Sequence, residues 1–186
     1  MAPLEPLESL HKFYQYAFPM LTMLVTSTDK KNKPNIITIS WHTTLSKKPP
    51  LYGIALAPNR FSYSLISETK EFVINFVSSK YLKDVHYCGT HSGKTTEKIH
   101  HTQFSFIPGQ KSKAPRIKEP YAHLECTLID THRVGDHVLL IGEVVNASAD
   151  TTAFKNDLLD IHKIQPIYYR GGNSYTQLNP DSLQQF

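Results

Sequence analysis

Arg60 stands between Asn59 and Ser62 at the start of a short helical pattern, so a guanidinium, a hydroxyl and free backbone N–H groups can converge on one point. That set suits a phosphate monoester, because a helix start offers N–H donors and a guanidinium adds charged, paired ones. Read alone, the same residues equally describe a Ser62 N-cap beside a surface charge. Ser92-Gly93-Lys94 with Lys98 makes a second polar, cationic turn, although it lacks the upstream glycine of a phosphate-binding P-loop. Ser40-Trp41-His42-Thr43-Thr44 sets the chain's one tryptophan in a hydroxyl-rich loop. The indole either lines the edge of an aromatic ligand or fills the core. Of the ten histidines, only His42 is taken as a candidate ligand contact. Cys88-x-x-His91 followed by His100-His101 has metal-ligand types but no second cysteine pair, so no metal site is expected. No Ser/His/Asp or paired-carboxylate pattern is present, and no side chain is assigned as catalytic.

These residues need a framework, and the dominant period along the chain is two. Leu21 to Ser27, Ile36 to Ser40, Leu51 to Leu56 and Glu71 to Phe76 are short β-branched or aromatic runs between Lys, Asn and Pro punctuation, and they read as strands. Asp29 to Pro34 is the turn of a first hairpin, and Pro49-Pro50 ends a loop leading into the third strand. Leu124 to Val134 and His137 to Ala147, joined by Gly135-Asp136, form a long second hairpin. In its first strand Leu124, Cys126 and Leu128 alternate with His123, Glu125 and Thr127, which predicts one face in the core and one in water. The second strand is apolar on both faces and needs a cover, for which a second subunit is favoured. Helical signals run from Ser62 to Lys70, from Tyr81 to Tyr87 with Gly89 as C-cap, and from Thr95 to His100. Gln110 to Pro120, with three Lys, one Arg and two Pro, reads as an exposed loop. Tyr168-Tyr169-Arg170-Gly171-Gly172-Asn173-Ser174-Tyr175 is either a hairpin end stitched to the barrel or a mobile rim over a ligand. The sum is a mainly β fold, an antiparallel barrel with a few short peripheral helices.

The 186 residues suffice for one well-filled core, so a single domain over 1–186 is expected. An apolar share of 40% with 11% aromatic residues excludes intrinsic disorder. The net charge of +4 is scattered, without the dense basic clusters of a nucleic-acid surface, and favours a small anion. No apolar run approaches the ~20 residues that cross a bilayer, so no membrane partner is expected. Two cysteines make no disulfide framework, and both are expected as small buried side chains. With no apolar N-terminal core and cleavage site, the cytoplasm is the expected location.

Several stretches keep a characteristic order. They are Lys33-Pro34-Asn35 through Thr38-Ile39-Ser40-Trp41, Lys48-Pro49-Pro50, Asn59-Arg60-Phe61-Ser62, and Glu71-Phe72-Val73-Ile74-Asn75. Cys88-Gly89-Thr90-His91-Ser92-Gly93-Lys94 with Glu97-Lys98, Leu124-Glu125-Cys126, Ile141-Gly142-Glu143-Val144 and Pro166-Ile167-Tyr168-Tyr169 follow. Together, over about residues 18 to 178, they resemble the flavin reductase-like family with the FMN-binding split β-barrel, most closely its flavoredoxin branch. The resemblance implies that Thr38, Ile39, Ser40, Trp41 and His42 lie along the pyrimidine side and N5 region of an isoalloxazine. It also implies that Asn59, Arg60 and Ser62, with Ser92, Gly93, Lys94 and Lys98, hold the ribityl phosphate, and that Asn75 and Phe76 line the cavity. His42-Thr43-Thr44-Leu45 departs from the small residues often found there.

The implied activity is that of an FMN-dependent oxidoreductase, with hydride passing from NAD(P)H to the flavin and electrons onward to free flavin, ferric iron, a partner oxygenase or a redox protein. An FMN-holding electron carrier reduced by another protein, or a barrel that binds flavin without redox use, are the alternatives. No G-x-G-x-x-G fingerprint is present, so NAD(P)H is expected as a transient donor stacked over the flavin, not as the occupant of a Rossmann site. The functional unit is expected to be a homodimer with the flavin near the interface.

Overall fold

The computed structural model describes Pro6 and residues 10–184. The expected domain limits of 1–186 include residues 1–5, 7–9 and 185–186, which lie outside the described residues. The framework consists of β1 (Met23–Thr28), β2 (Pro34–Ile39), β3 (His42–Lys47), β4 (Pro50–Leu56), α1 (Phe61–Thr69), β5 (Glu71–Phe76), α2 (Leu82–Thr90), β6 (Ala122–Val134) and β7 (His137–Ala149). Its seven strands form one antiparallel sheet in the order β2-β1-β5-β6-β7-β4-β3. A smaller hairpin, β8 (Tyr168–Gly171) and β9 (Ser174–Thr176), pairs through β8 with the short strand Met20–Leu21. The mainly β split-barrel expectation is met. The edge strands β2 and β3 are consecutive in the chain but share no ladder, so the split runs past the Ser40–Trp41 bend. Among the described residues no helix is long and apolar enough to cross a membrane.

Two apolar clusters hold this sheet. One fills the concave side with Met23, Val25, Ile54, Phe72, Ile74, Cys126 and Leu140. The other lies on the opposite face of β1 and β2, where Leu24 and Ile36 meet Val85 and Cys88 of α2 and Phe104, Ile117 and Ile167. Every residue of β1 is therefore buried, as a strand covered on both faces requires. Gly142 opens room for the core: a Cβ there would lie 2.5 Å from the Phe72 ring. Both cysteines are free and buried, and burial pushes each thiol up to about 12, which makes them packing groups.

Four local expectations differ from the structure. Residues 42–47, read as loop, form β3 and pair with β4; hydroxyl-bearing Thr and Ser suit a strand whose outer face meets solvent. Gly89 is inside α2, not its cap, and a Cβ on it would stand 3.2 Å from Thr38 Cβ. The missing side chain lets α2 lie close on β2. Thr95 to His100 makes a turn and then a 3-10 segment, Lys98–His101, not an α-helix. Finally, the face of β6 expected to meet water is covered: His123 is 8% exposed and Glu125 0%.

The cover is the segment read as an exposed loop. Ala114 and Ile117 are fully buried, and Glu125 holds the segment down. Its carboxylate accepts the backbone N–H groups of Gln110 (2.9 Å), Lys111 (2.7 Å) and Ser112 (2.9 Å) and the Asn146 amide (3.0 Å), with Arg116 3.7 Å away. Glu71 repeats the device one strand over, accepting the Ser112 hydroxyl at 3.1 Å and the Lys113 N–H. Asn75 Oδ1 takes the Ile117 N–H at 2.9 Å, and Thr26 Oγ1 donates to the Pro115 carbonyl. Burial pushes the Glu125 carboxyl upward, but the donors outweigh it and hold it below the usual carboxylate range.

Replacing Glu125 by Ala removes the acceptor that these donors share and is expected to cost about 3–5 kcal/mol, with Glu125→Gln costing less. Because the folded-state carboxyl is depressed, the clamp's contribution is complete above about pH 4.3 and is lost as the pH falls further. Urea unfolding of the two variants and the wild type at pH 7 checks this; equal midpoints would refute the clamp.

Candidate functional site

The Pro58–Arg60 turn enters α1 with Arg60 at its N-cap, so Ser62 lies within the first helical turn and is not the cap. Facing it, α2 ends in the run Thr90 to Gly93, and the two segments enclose a cavity of about 230 Å³. Asn59, Arg60, Ser62, Ser92, Gly93 and Lys98, all expected at a phosphate, line it together, and no acidic residue does. Arg60 is exposed and forms no ion pair with a described carboxylate. Ser62 is 2% exposed and its Oγ accepts the Asn35 amide at 2.7 Å. A Cβ on Gly93 would run into Asn35 Oδ1, so any larger residue there would displace the buried Asn35 side chain. Lys98 is 4% exposed and donates to the carbonyls of Cys88 (2.8 Å) and His91 (3.0 Å), which ties down the turn. Burial brings its ammonium down to about 8, and the Arg60 charge acts in the same direction. Donors, two cations and a glycine-lined approach fit a phosphate dianion. Lys94 is not brought to this cavity; it is exposed and contributes a backbone N–H to Ser92 Oγ at 3.3 Å.

Two further cavities adjoin the first at Arg60 and Gly89, which border all three. One, of about 190 Å³, follows the split of the barrel: Thr38, Ile39, Ser40 and Trp41 on one side, Ala55 to Ala57 and His137 on the other. Trp41 packs against the His137 ring at 4.6 Å between centroids and against Tyr14 at 5.7 Å. The other, of about 330 Å³, lies between Thr38, Ser40 and Arg60 and a wall of His86, Tyr169 and Tyr175. The C-terminal hairpin is therefore both stitched to the barrel and a border of the cavity. Tyr175 Oη is 3.1 Å from His86 Nδ1, linking hairpin to α2.

The remaining expected contacts sit elsewhere. His42 turns inward: its Nε2 is 2.9 Å from the Leu21 carbonyl, so that nitrogen carries the proton, and Nδ1 accepts from Tyr52 Oη at 2.7 Å. Both nitrogens are used by the protein, and burial lowers the imidazole's affinity for a further proton. Ile39 points its side chain into the core while its backbone borders the split. Asn75 is fully buried and spends its amide on Val73 and Ile117, and Phe76 packs between Tyr52 and Tyr121; neither lines these cavities. Sequence reasoning missed Ile37, His86, Thr90 and His137, while Asn173 falls in the Tyr168–Tyr175 stretch read as a rim. Ile37 adjoins Thr38 and Thr90 adjoins the Ser92-Gly93-Lys94 motif, so both were within reach of those signals; His86 on α2 and His137 on β7 carry no local mark.

Residues 15–175 match the family model described as flavin reductase like domain. An uncharacterized protein of Archaeoglobus fulgidus is 35% identical over 162 residues, 87% of this chain and 90% of that protein. The FMN-binding protein from Thermus thermophilus with bound p-hydroxybenzaldehyde superposes with a TM-score of 0.84 at 26% identity, covering 100% of both chains. Flavoredoxin of Desulfovibrio vulgaris (Miyazaki F) does so with a TM-score of 0.78 at 26% identity, covering 87% of this chain and 88% of that one.

The cationic cavity has a checkable pH dependence. An anion beside Lys98 raises the ammonium's pKa, so the stabilisation is complete below about 8 and fades as the pH rises through the raised value. FMN affinity is expected to fall about tenfold between pH 7 and pH 10 while riboflavin affinity stays level, and Lys98→Met is expected to flatten the FMN curve. Calorimetric titration of both ligands reads this, and parallel curves for FMN and riboflavin would count against it.

Proposed function

The chain belongs to the flavin reductase like family, and from that premise we propose that it is an FMN-dependent oxidoreductase taking electrons from NAD(P)H. The observation that supports this best is the position of Arg60. It borders a cationic, acid-free cavity suited to a phosphate and also both cavities along the barrel split. One extended molecule with a phosphate at one end and a planar ring at the other would meet both demands.

FMN, when bound, would supply the hydride-accepting and electron-passing chemistry. The chain's own residues do the rest. Arg60, Ser62 and Lys98 hold the phosphate. The β2 end and the Ser40–Trp41 bend present backbone groups and the Ser40 hydroxyl to the ring's polar edge, where donors favour developing negative charge. Thr38 is an acceptor there, since its own hydroxyl proton goes to the Val85 carbonyl. His86, Tyr169, Asn173 and Tyr175 border an open cavity with room for a second planar ring, the nicotinamide or the acceptor.

The likeness to flavoredoxin supports a second reading, an FMN-holding electron carrier. The purified protein is expected to oxidise NADH or NADPH when FMN is added. No oxidation above the flavin-free control, together with reduction of the bound flavin by a ferredoxin-type donor, would replace the reductase with the carrier. Free flavin, ferric iron, a partner oxygenase or a redox protein are the acceptors to compare, and the cytoplasm is the proposed location.

A homodimer completes this reading. Leu45, Ile129 and Val145 are 42%, 49% and 41% exposed, and Leu139 and Ile141 beside them on the outer face of β7 are half-buried. Exposed apolar side chains grouped on one sheet face suit a self-complementary contact. Light scattering at micromolar concentration is expected to give twice the chain mass of 21.2 kDa, and Leu45→Glu to shift it toward the monomer. A wild-type monomer would sink the assignment.

A further inference from the structure

Asn35 was not among the residues expected to touch a ligand, yet it stands where three elements of the phosphate cavity meet. It is the second residue of β2 and 5% exposed. Its Nδ2 donates to Ser62 Oγ at 2.7 Å in a buried contact with α1. Its Oδ1 is buried without a hydrogen-bond partner and occupies the space that a side chain on Gly93 would fill. One amide thus joins the strand, the helix start and the Ser92–Gly93 turn.

A serine hydroxyl has one proton to give and two lone pairs to receive. With Asn35 donating into Ser62 Oγ, one lone pair is filled and the proton is left to be given elsewhere. Ser62 borders the cavity, and a phosphate dianion offers only acceptors to it. We propose that Asn35 is a positioning residue that commits the Ser62 hydroxyl to donate into the phosphate cavity, without itself touching the ligand. The orphan Oδ1 is consistent with that role: its lone pairs face the glycine turn, where they cannot compete for the Ser62 proton. An acceptor placed on the Ser62 side of residue 35 would draw that proton back and leave a lone pair facing the anion, an arrangement that repels it.

The inference rests on the phosphate reading of this cavity, and its test separates the two. FMN and riboflavin are titrated into the wild type, Asn35→Asp, Ser62→Ala and the double variant, with flavin fluorescence as the readout and far-UV circular dichroism to confirm folding. Asn35→Asp is expected to weaken FMN by about tenfold or more while riboflavin changes less than about twofold. The double variant is expected to bind FMN no more weakly than Asn35→Asp alone, because the Ser62 donor is already lost there. Additive losses would show that the new carboxylate acts by repulsion alone and would overturn the proposal, as would equal weakening of FMN and riboflavin. Asn35→Ala, which adds no charge, serves if the Asp variant fails to fold, and its FMN loss is likewise expected to vanish in a Ser62→Ala background. Inorganic phosphate titrated into the same proteins decides the matter without the flavin. Weaker phosphate binding to Asn35→Ala that disappears in the Ser62→Ala background supports the coupling even if FMN does not bind, and equal phosphate affinity in wild type and Asn35→Ala overturns it.

Discussion

Everything at the barrel split depends on how closely α2 lies on β2. A glycine lets a helix's last turn lie close against a strand, and Gly89 takes that position opposite Thr38, where a Cβ would stand 3.2 Å from Thr38 Cβ. With the helix seated there, its end delivers Thr90 to Gly93 to the start of α1, and the carbonyls of Cys88 and His91 come within reach of Lys98. A Cβ at residue 89 would press on Thr38, and the few tenths of an ångström needed to relieve it would be taken up between α2 and β2, which border all three cavities.

The electrostatics follow from that seating. Lys98 is buried at a cost in solvation that lowers its pKa; two carbonyl acceptors offset part of the cost but supply no negative charge. Arg60 adds a second positive charge without a carboxylate partner among the described residues. A protein that concentrates like charge in a partly closed space without a counter-ion holds a site that an anion would stabilise. The family's flavin chemistry needs such an anchor, because the protein must orient a ring whose reacting atoms it does not supply.

The opposite side of the sheet solves a different problem. Glu71 and Glu125 project toward residues 110–113, where backbone N–H groups have no strand to pair with, and the carboxylates take them. Two acidic side chains thereby turn a Lys- and Pro-rich segment into the lid of the second apolar cluster. Alternation along β6 is real, but it marks two different coverings: a hydrocarbon core on one face and hydrogen-bonded backbone on the other. A pattern of polar and apolar residues does not distinguish water from a satisfied polar cover.

The sequence by itself determined what depends on near neighbours. Period-two and short apolar runs set β1, β2, β4, β5, β6 and β7 to within a few residues, and the helix start expected at Ser62, one residue from the observed Phe61, put Arg60 and Ser62 at the same turn. Order along the chain also carried the family resemblance, because aligned motifs survive without coordinates. Only the tertiary structure decided which residues share a cavity. His42 looked like a ligand contact in the chain and became a strut between Leu21 and Tyr52, whereas His86 and His137 reached the cavities from remote elements and Asn35 came up behind Ser62. The reason is that a strand's two faces are fixed by local geometry, but what each face meets is fixed by chain segments tens of residues away, whose approach is set by packing and not by any local propensity.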